Sequence, residues 1–257
     1  MKLSCCAYSY RNALRDGAMT LFDFLRTCRE IGCAGVELTA YYFPDTERGT
    51  LNDLKRAAHR EGVAISGTAV GSDFAHPDAA KRAEFLAMTR AWIEHSVVLG
   101  APTMRVFAGG IREGQTEAEA FQNVVSALQE CAEIAWNAGV TLALENHGGL
   151  TETAEGTLQI LKAVNHPGLG LNLDFGNFRT DVYTQFAACA PYAVATHAKA
   201  VIHNPGASVL EPVDYARVRQ IMDSVGYRGY LAIEYEEQEP AEVAVPRFAA
   251  QLLTHLA

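Results

Sequence analysis

Four apolar runs in the second half of the chain each lead into a residue that can bind a cation or move a proton. Leu142-Ala143-Leu144 runs into Glu145, Leu171-Asn172-Leu173 into Asp174, Ala195-Thr196 into His197, and Ala232-Ile233 into Glu234. Three carboxylates and one imidazole make an oxygen-rich donor set of hard-to-borderline character. It suits one divalent ion such as Mn²⁺, Mg²⁺ or Co²⁺ better than a thiolate-bound structural zinc. Three negative charges gathered without a cation would repel strongly, so the ion also answers an electrostatic need. Taken singly, each residue has a plainer role. Glu145 or Glu234 could open a solvated loop, Asp174 could form an Asx turn before Phe175-Gly176, and His197 could be a satisfied core histidine. The recurrence of all four at the same place in successive runs favours the metal reading.

Strand alternation extends the set. Side chains two apart on a strand share a face, so His147 should accompany Glu145, Lys199 should accompany His197, and Glu236 should accompany Glu234. His147 and Lys199 are candidate hydrogen-bonding groups for a polar substrate, or rim residues with no role. Arg105 and Glu37 are expected to point into the same mouth, as an ion pair with each other or as binders of substrate hydroxyls. Trp92 and Trp136 lie on helix faces and are expected in the core. His59, His95, His166 and His255 fall in or near helices, outside the chemistry.

Such residues need a frame that sets strand ends side by side. Strand-like runs are predicted at Leu3–Tyr8, Gly35–Thr39, Ala64–Val70, Thr103–Phe107, Thr141–Asn146, Leu169–Asp174, Ala193–Lys199 and Leu231–Glu236. Most are nearly continuous in apolar residues, as parallel strands covered on both faces must be. Between them lie helical patterns. Thr20 with Asp23, Thr50 with Asp53, and Thr116 with Glu119 have capping-box spacing, and Phe121, Val124, Val125, Leu128 and Ala132 form one apolar stripe. Gly32, Gly62, Gly100, Gly139 and Gly226 stand where helices should stop. The sixth helix, from Tyr183 to Ala190, is short and poorly patterned. Alternating elements without a composition break predict an α/β fold, with residues 1–257 forming a single (β/α)8 TIM barrel domain. Tyr8-Ser9-Tyr10-Arg11-Asn12 offers no glycine-rich turn after the first strand, which argues against a Rossmann sheet. In such barrels function sits at the C-terminal ends of the strands, where the four residues fall.

Composition narrows the partners. The 257 residues are 49% hydrophobic, enough for a substantial core, and carry a formal net charge of −9. That balance disfavours nucleic acid and anionic membrane surfaces as partners. The N-terminal stretch lacks the apolar core of a signal peptide, and no apolar run is long enough to span a bilayer. Six cysteines without a C-x-x-C pair read as buried free thiols in a reducing cytoplasm. No stretch announces an interface, which leaves a homo-oligomer open.

Five segments together carry a resemblance. They are Leu144-Glu145-Asn146-His147, Asn172-Leu173-Asp174-Phe175-Gly176-Asn177-Phe178, His197-Ala198-Lys199, Val213-Asp214-Tyr215 and the stretch from Gly226 to Glu236. In this order the chain resembles the sugar phosphate isomerase/epimerase family, the xylose isomerase-like TIM barrels, over essentially its whole length. That superfamily includes ketose 3-epimerases, hydroxypyruvate isomerase, inosose dehydratase and isomerase, 3-dehydroshikimate dehydratase and endonuclease IV. The resemblance implies that Glu145, Asp174, His197 and Glu234 bind the metal, and that Glu145 and Glu234 exchange a proton with substrate. Asn177 stands where ketose 3-epimerases tend to have a histidine. Val201-Ile202-His203-Asn204 also lacks the arginine they favour, which weakens the epimerase reading specifically.

The leading expectation is isomerisation or epimerisation of a sugar or polyol ketone by proton transfer through an enediolate, with the metal as Lewis acid and template. A lyase or dehydratase acting on a keto-sugar or keto-inositol starts with the same proton abstraction. A repair endonuclease would need more strand-end histidines and a basic surface. A silent sugar-binding barrel is the non-enzymatic alternative. Pro205-Gly206-Ala207-Ser208 is the one hint of a phosphate loop, and Glu236-Glu237-Gln238-Glu239 would repel a phosphate, so an uncharged substrate is expected.

Overall fold

The computed structural model describes residues 1–203 and 210–256. Its strands are β1 (Lys2–Cys6), β2 (Gly35–Thr39), β3 (Ala64–Ala69), β4 (Thr103–Val106), β5 (Thr141–Glu145), β6 (Leu169–Asp174), β7 (Ala193–Ala198), β8 (Val201–Ile202), β9 (Glu211–Pro212) and β10 (Tyr230–Ile233). All but the small antiparallel pair β8–β9 close a parallel barrel in the order β1-β10-β7-β6-β5-β4-β3-β2. The helices are α1 (Arg11–Arg15), α2 (Leu21–Glu30), α3 (Arg48–Glu61), α4 (Ala79–Leu99), α5 (Glu117–Asn137), α6 (Ala154–Val164), α7 (Val182–Cys189), α8 (Tyr215–Ser224) and α9 (Ala241–Leu256). The weak sixth helical pattern forms α7, packed through Phe186 against Phe175 and Phe178.

Local chemistry explains most element ends. Thr20 and Thr116 form reciprocal capping boxes with Asp23 and Glu119 at the starts of α2 and α5. Gly62 (φ 73°) and Gly100 (φ 78°) end α3 and α4 in the left-handed region that residues with a Cβ avoid. Thr50 is a correction. The backbone N–H of Glu47 donates to Asp45 Oδ1 (2.9 Å), so α3 starts earlier, at Arg48, and Thr50 lies inside its first turn. Asp53 pairs with Arg56 instead (2.6 Å).

Six strands end earlier than the sequence suggests: β3, β4, β5 and β7 by one residue, β1 by two and β10 by three. β1 stops at Cys6 and the chain turns into a 3-10 segment, Ala7–Tyr10, pinned to the end of the neighbouring strand β10. There Ser9 Oγ donates to Ile233 O (2.9 Å) and accepts from Tyr235 N (3.0 Å). β10 ends at Ile233, so Glu234 is the first residue beyond the strand. Trp92 is buried against Phe43, as expected for core. Trp136 is not: it is 52% exposed in the last turn of α5, beyond the buried stripe that ends at Ala132 and Ala135.

All six cysteines are free and buried. No helix among the described residues is long and apolar enough to cross a membrane. Pro205-Gly206-Ala207-Ser208 lies outside the described residues.

Candidate metal centre

Barrel stagger decides which side chains meet. Asp174 is level with His197, and His197 with Ala232, whereas Glu145 is level with Asn172, two residues before Asp174. The ligand candidates therefore reach one point from different heights, with Glu234 rising two residues beyond the level of His197. His197 Nδ1 lies 3.2 Å from Glu234 Oε2, 3.5 Å from Glu145 Oε2 and 3.8 Å from Asp174 Oδ2. One donor atom from each of the four falls within 4.8 Å of the rest, and all four side chains are buried.

The donors fit a divalent cation. Asp174 Oδ1 accepts from Gly176 N (2.7 Å), while the buried Asp174 Oδ2 has no hydrogen-bond partner, which a site of this polarity rarely tolerates. His197 Nε2 lies 2.9 Å from Glu37 Oε1, so Glu37 fixes the ring and turns Nδ1 toward the carboxylates. Asn172 Nδ2 donates to Glu145 Oε2 (3.1 Å) and sits 3.1 Å from His197 Nδ1, bridging the two side chains. Asn146 clamps the end of β6, donating to Asp174 O (3.1 Å) and accepting from Asp174 N (2.8 Å). Asn177 Nδ2 donates to Glu145 Oε1 (3.3 Å).

Two cations flank this group. Lys199 Nζ is 2.6 Å from Glu234 Oε2 and 3.5 Å from Asp174 Oδ2, and it also contacts Glu236. Arg105 Nε is 3.3 Å from Glu145 Oε2, and its guanidinium lies over the Phe107 ring (3.9 Å), which in turn packs on His147 (4.5 Å between centroids). The expected Arg105–Glu37 ion pair is thus not the direct one. Glu37 faces the imidazole of β7, and Arg105 turns to the carboxylate of its neighbouring strand.

Burial and charge pull these groups apart. Burial, helped by the charges of Glu145 and Glu234, raises Asp174 to about 7 against the relief offered by Lys199. Burial also raises Glu145, and the negative Glu234 adds to it. Glu234 goes the other way: burial alone would raise it, but His197 and Lys199 hold it well below the usual carboxylate range. Burial lowers His147. Burial, then the Glu37 charge, pushes the Cys6 thiol up to about 12. The two glutamates are thereby driven in opposite directions.

Above the donors opens a cavity of about 190 Å³, lined by Tyr8, Tyr41, Phe107 and His147 with Arg105, Glu145, Glu234 and Glu236. The structure thus brings Glu145, Asp174, His197 and Glu234 together, with Lys199, Arg105 and His147 around them. None of His59, His95, His166 and His255 lines this cavity. Sequence reasoning missed Asn146, Asn172, Tyr8, Tyr41 and Phe107. The available signal for Asn172 was a lone amide between Leu171 and Leu173 in an otherwise apolar strand.

Residues 25–252 match the family model described as xylose isomerase-like TIM barrel. A 3-dehydroshikimate dehydratase from Bacillus anthracis is 27% identical over 227 residues, covering 82% of this chain and 76% of that protein. Among solved structures, the IOLI protein with a binding zinc atom superposes with a TM-score of 0.81 at 17% identity, over 100% of this chain and 96% of the other. An L-ribulose 3-epimerase gives 0.77 at 18% identity, over 99% and 95%. At such identities the two structures speak for the fold alone.

Proposed function

The chain belongs to the xylose isomerase-like TIM barrel family, and from that membership and the geometry of its four donors we propose that it is a divalent-metal-dependent isomerase or epimerase of a sugar or related polyol ketone. The observation that carries the reading is the convergence of three buried carboxylates and His197 within 4.8 Å, with Asp174 Oδ2 left without a hydrogen-bond partner. Glu145, Asp174, His197 and Glu234 would hold the ion, Mn²⁺, Mg²⁺ or Co²⁺ by the hardness of the set. When bound, it would supply Lewis-acid polarisation of the substrate carbonyl and of a neighbouring hydroxyl.

The chain's own residues do the rest. Glu234, held ionised by His197 and Lys199, is placed to take the proton from the carbon beside the carbonyl. Glu145, with its raised proton affinity, is placed to return one. Return to the opposite face of the same carbon inverts it, and return to the adjacent carbon moves the carbonyl. Arg105, His147 and Lys199 line or flank the mouth as hydrogen-bond donors for substrate oxygens, and Tyr8, Tyr41 and Phe107 exclude water beside them. The carboxylates Glu236, Glu237 and Glu239 after β10 favour an uncharged substrate over a phosphorylated one.

A second reading is dehydration of a keto-sugar or keto-inositol. The 27% identity to a dehydratase and Asn177 at Glu145, in place of an imidazole, favour it. Product mass separates the two, since isomerisation conserves mass and dehydration loses water. We place the protein, as a single-domain enzyme, in a reducing cytoplasm, in keeping with six buried free thiols. The first test is metal analysis of purified, chelator-treated and Mn²⁺-reconstituted protein beside Glu234→Gln. About one ion per chain, lost in the variant, supports the centre; no ion and no response to added metal refutes it.

A further inference from the structure

We propose that the substrate carries an apolar, uncharged substituent, aromatic or alkyl, which lies in a groove beside the catalytic mouth; this rests on the reading of the mouth as the reaction site. The catalytic cavity of about 190 Å³ is smaller than the range of roughly 300–1,000 Å³ typical of small-molecule sites. Next to it runs a second cavity of about 420 Å³, and Tyr41 lines both. Together the two fall inside that range.

The groove differs from the mouth in chemistry. The mouth holds three glutamates and an arginine. The groove is walled by Leu14, Met19, Phe22, Tyr42, Phe43 and Leu54, and among the described residues no carboxylate lines it in a chain of net charge −9. Its one charged lining residue, Arg15, is paired with Asp16 (3.2 Å). An ionic or heavily hydroxylated group would lose its water there without gaining partners, whereas an aryl or alkyl group would not.

Position and rigidity point the same way. The walls come from the segments that follow β1 and β2, on the face of the barrel where the mouth opens. Tyr41 meets Tyr42 edge-on (6.1 Å between centroids), and Phe43 meets Trp92 (5.0 Å), so the aromatic walls are mutually braced. Phe22 (40%) and Tyr41 (51%) remain exposed, leaving apolar surface for an incoming group to cover. Tyr41 lies against Gly71, where a Cβ would overlap its hydroxyl, so the glycine leaves room for the ring that lines both mouth and groove. A ketose with hydroxyls alone would fill the mouth and leave the groove wet. A two-part molecule, polar and reactive at one end and apolar at the other, fills both.

The test uses Mg²⁺-loaded full-length protein and a matched pair, methyl and 4-nitrophenyl 3-keto-β-D-glucopyranoside, in titration calorimetry and NMR turnover assays. The expected result is at least about tenfold tighter binding of the aryl compound, a preference that Phe22→Ser and Met19→Ser each reduce. Equal affinities, no binding of the aryl compound at millimolar concentration, or an unchanged preference in both variants would overturn the proposal. So would a wild-type dimer that Phe22→Ser converts to a monomer in light scattering, since a second copy would then occupy the groove. Aryl preference without turnover of either compound would refute the proposed reaction on these sugars and leave the groove standing.

Discussion

Glu37 Oε1 sits 2.9 Å from His197 Nε2, across the barrel from β2 to β7, and so decides which imidazole nitrogen faces Glu145, Asp174 and Glu234. A carboxylate on the far nitrogen both orients the ring and raises the basicity of the near one. Glu37 is itself held below the usual carboxylate range: burial pushes it up, but His197 outweighs burial.

Removing that acceptor should therefore loosen the metal without touching a ligand. Glu37→Leu is expected to weaken Mn²⁺ binding by about 10–100-fold in calorimetry, with the barrel's circular dichroism unchanged. Wild-type affinity in the folded variant would show that His197 needs no such support.

The two glutamates are assigned opposite duties, so each should be indispensable. Glu145→Gln and Glu234→Gln should each lower turnover by roughly 10²–10⁴-fold in folded protein. Because both residues also face the ion, measured metal occupancy must accompany the rates. Near-full turnover in either variant would end that residue's role in proton transfer.

The site's outline was legible because parallel strands are written as apolar runs, and their ends stand out when a charged residue follows. Glu145, Asp174, His197 and Glu234 are found that way. Their neighbours were harder, because contacts across a barrel depend on stagger, which no local pattern encodes. The two-residue offset of Glu145 against Asp174 is what gives Asn172 its place between Glu145 and His197. The same blindness coupled Arg105 with Glu37, when each pairs elsewhere. Capping boxes at Thr20 and Thr116 are readable from sequence because they are local; Thr50 failed because Asp45, outside the four-residue pattern, fixes the entry to α3 first. Trp136 misled because a position on a helix's apolar side does not guarantee cover in its last turn.

Lys199 contacts Asp174, Glu234 and Glu236 from a buried position, so it neutralises carboxylates that a bound cation would also neutralise. Lys199→Met should cost about 3–5 kcal/mol of stability in chelator-treated protein, the scale for breaking a buried pair. Much of that loss should return with saturating Mn²⁺. Thermal melts with EDTA and with Mn²⁺ check it, and an equal drop in melting temperature in both would mean that Lys199 and the ion do not share the same charges.

The raised groups also give chelator-treated protein a pH dependence of definite sign. Asp174 moves from 3.8 to about 7 on folding, and Glu145 moves up as well. His197 is raised too, since the surrounding carboxylates outweigh the effect of burial. Each of these groups binds its proton more tightly when folded, so its contribution is complete below its unfolded value and is lost as pH rises through the folded one. Glu234, shifted down, acts in the opposite sense, but its window lies below 4.5. Between pH 6 and 8.5 the metal-free protein should therefore lose stability, on the order of a few kcal/mol. Saturating Mn²⁺ should flatten or reverse the trend, because the ion favours the ionised carboxylates and the neutral imidazole. Melting curves across that range with and without EDTA measure both slopes. A metal-free protein that grows more stable toward pH 8.5 would contradict the raised proton affinities at the centre of the barrel.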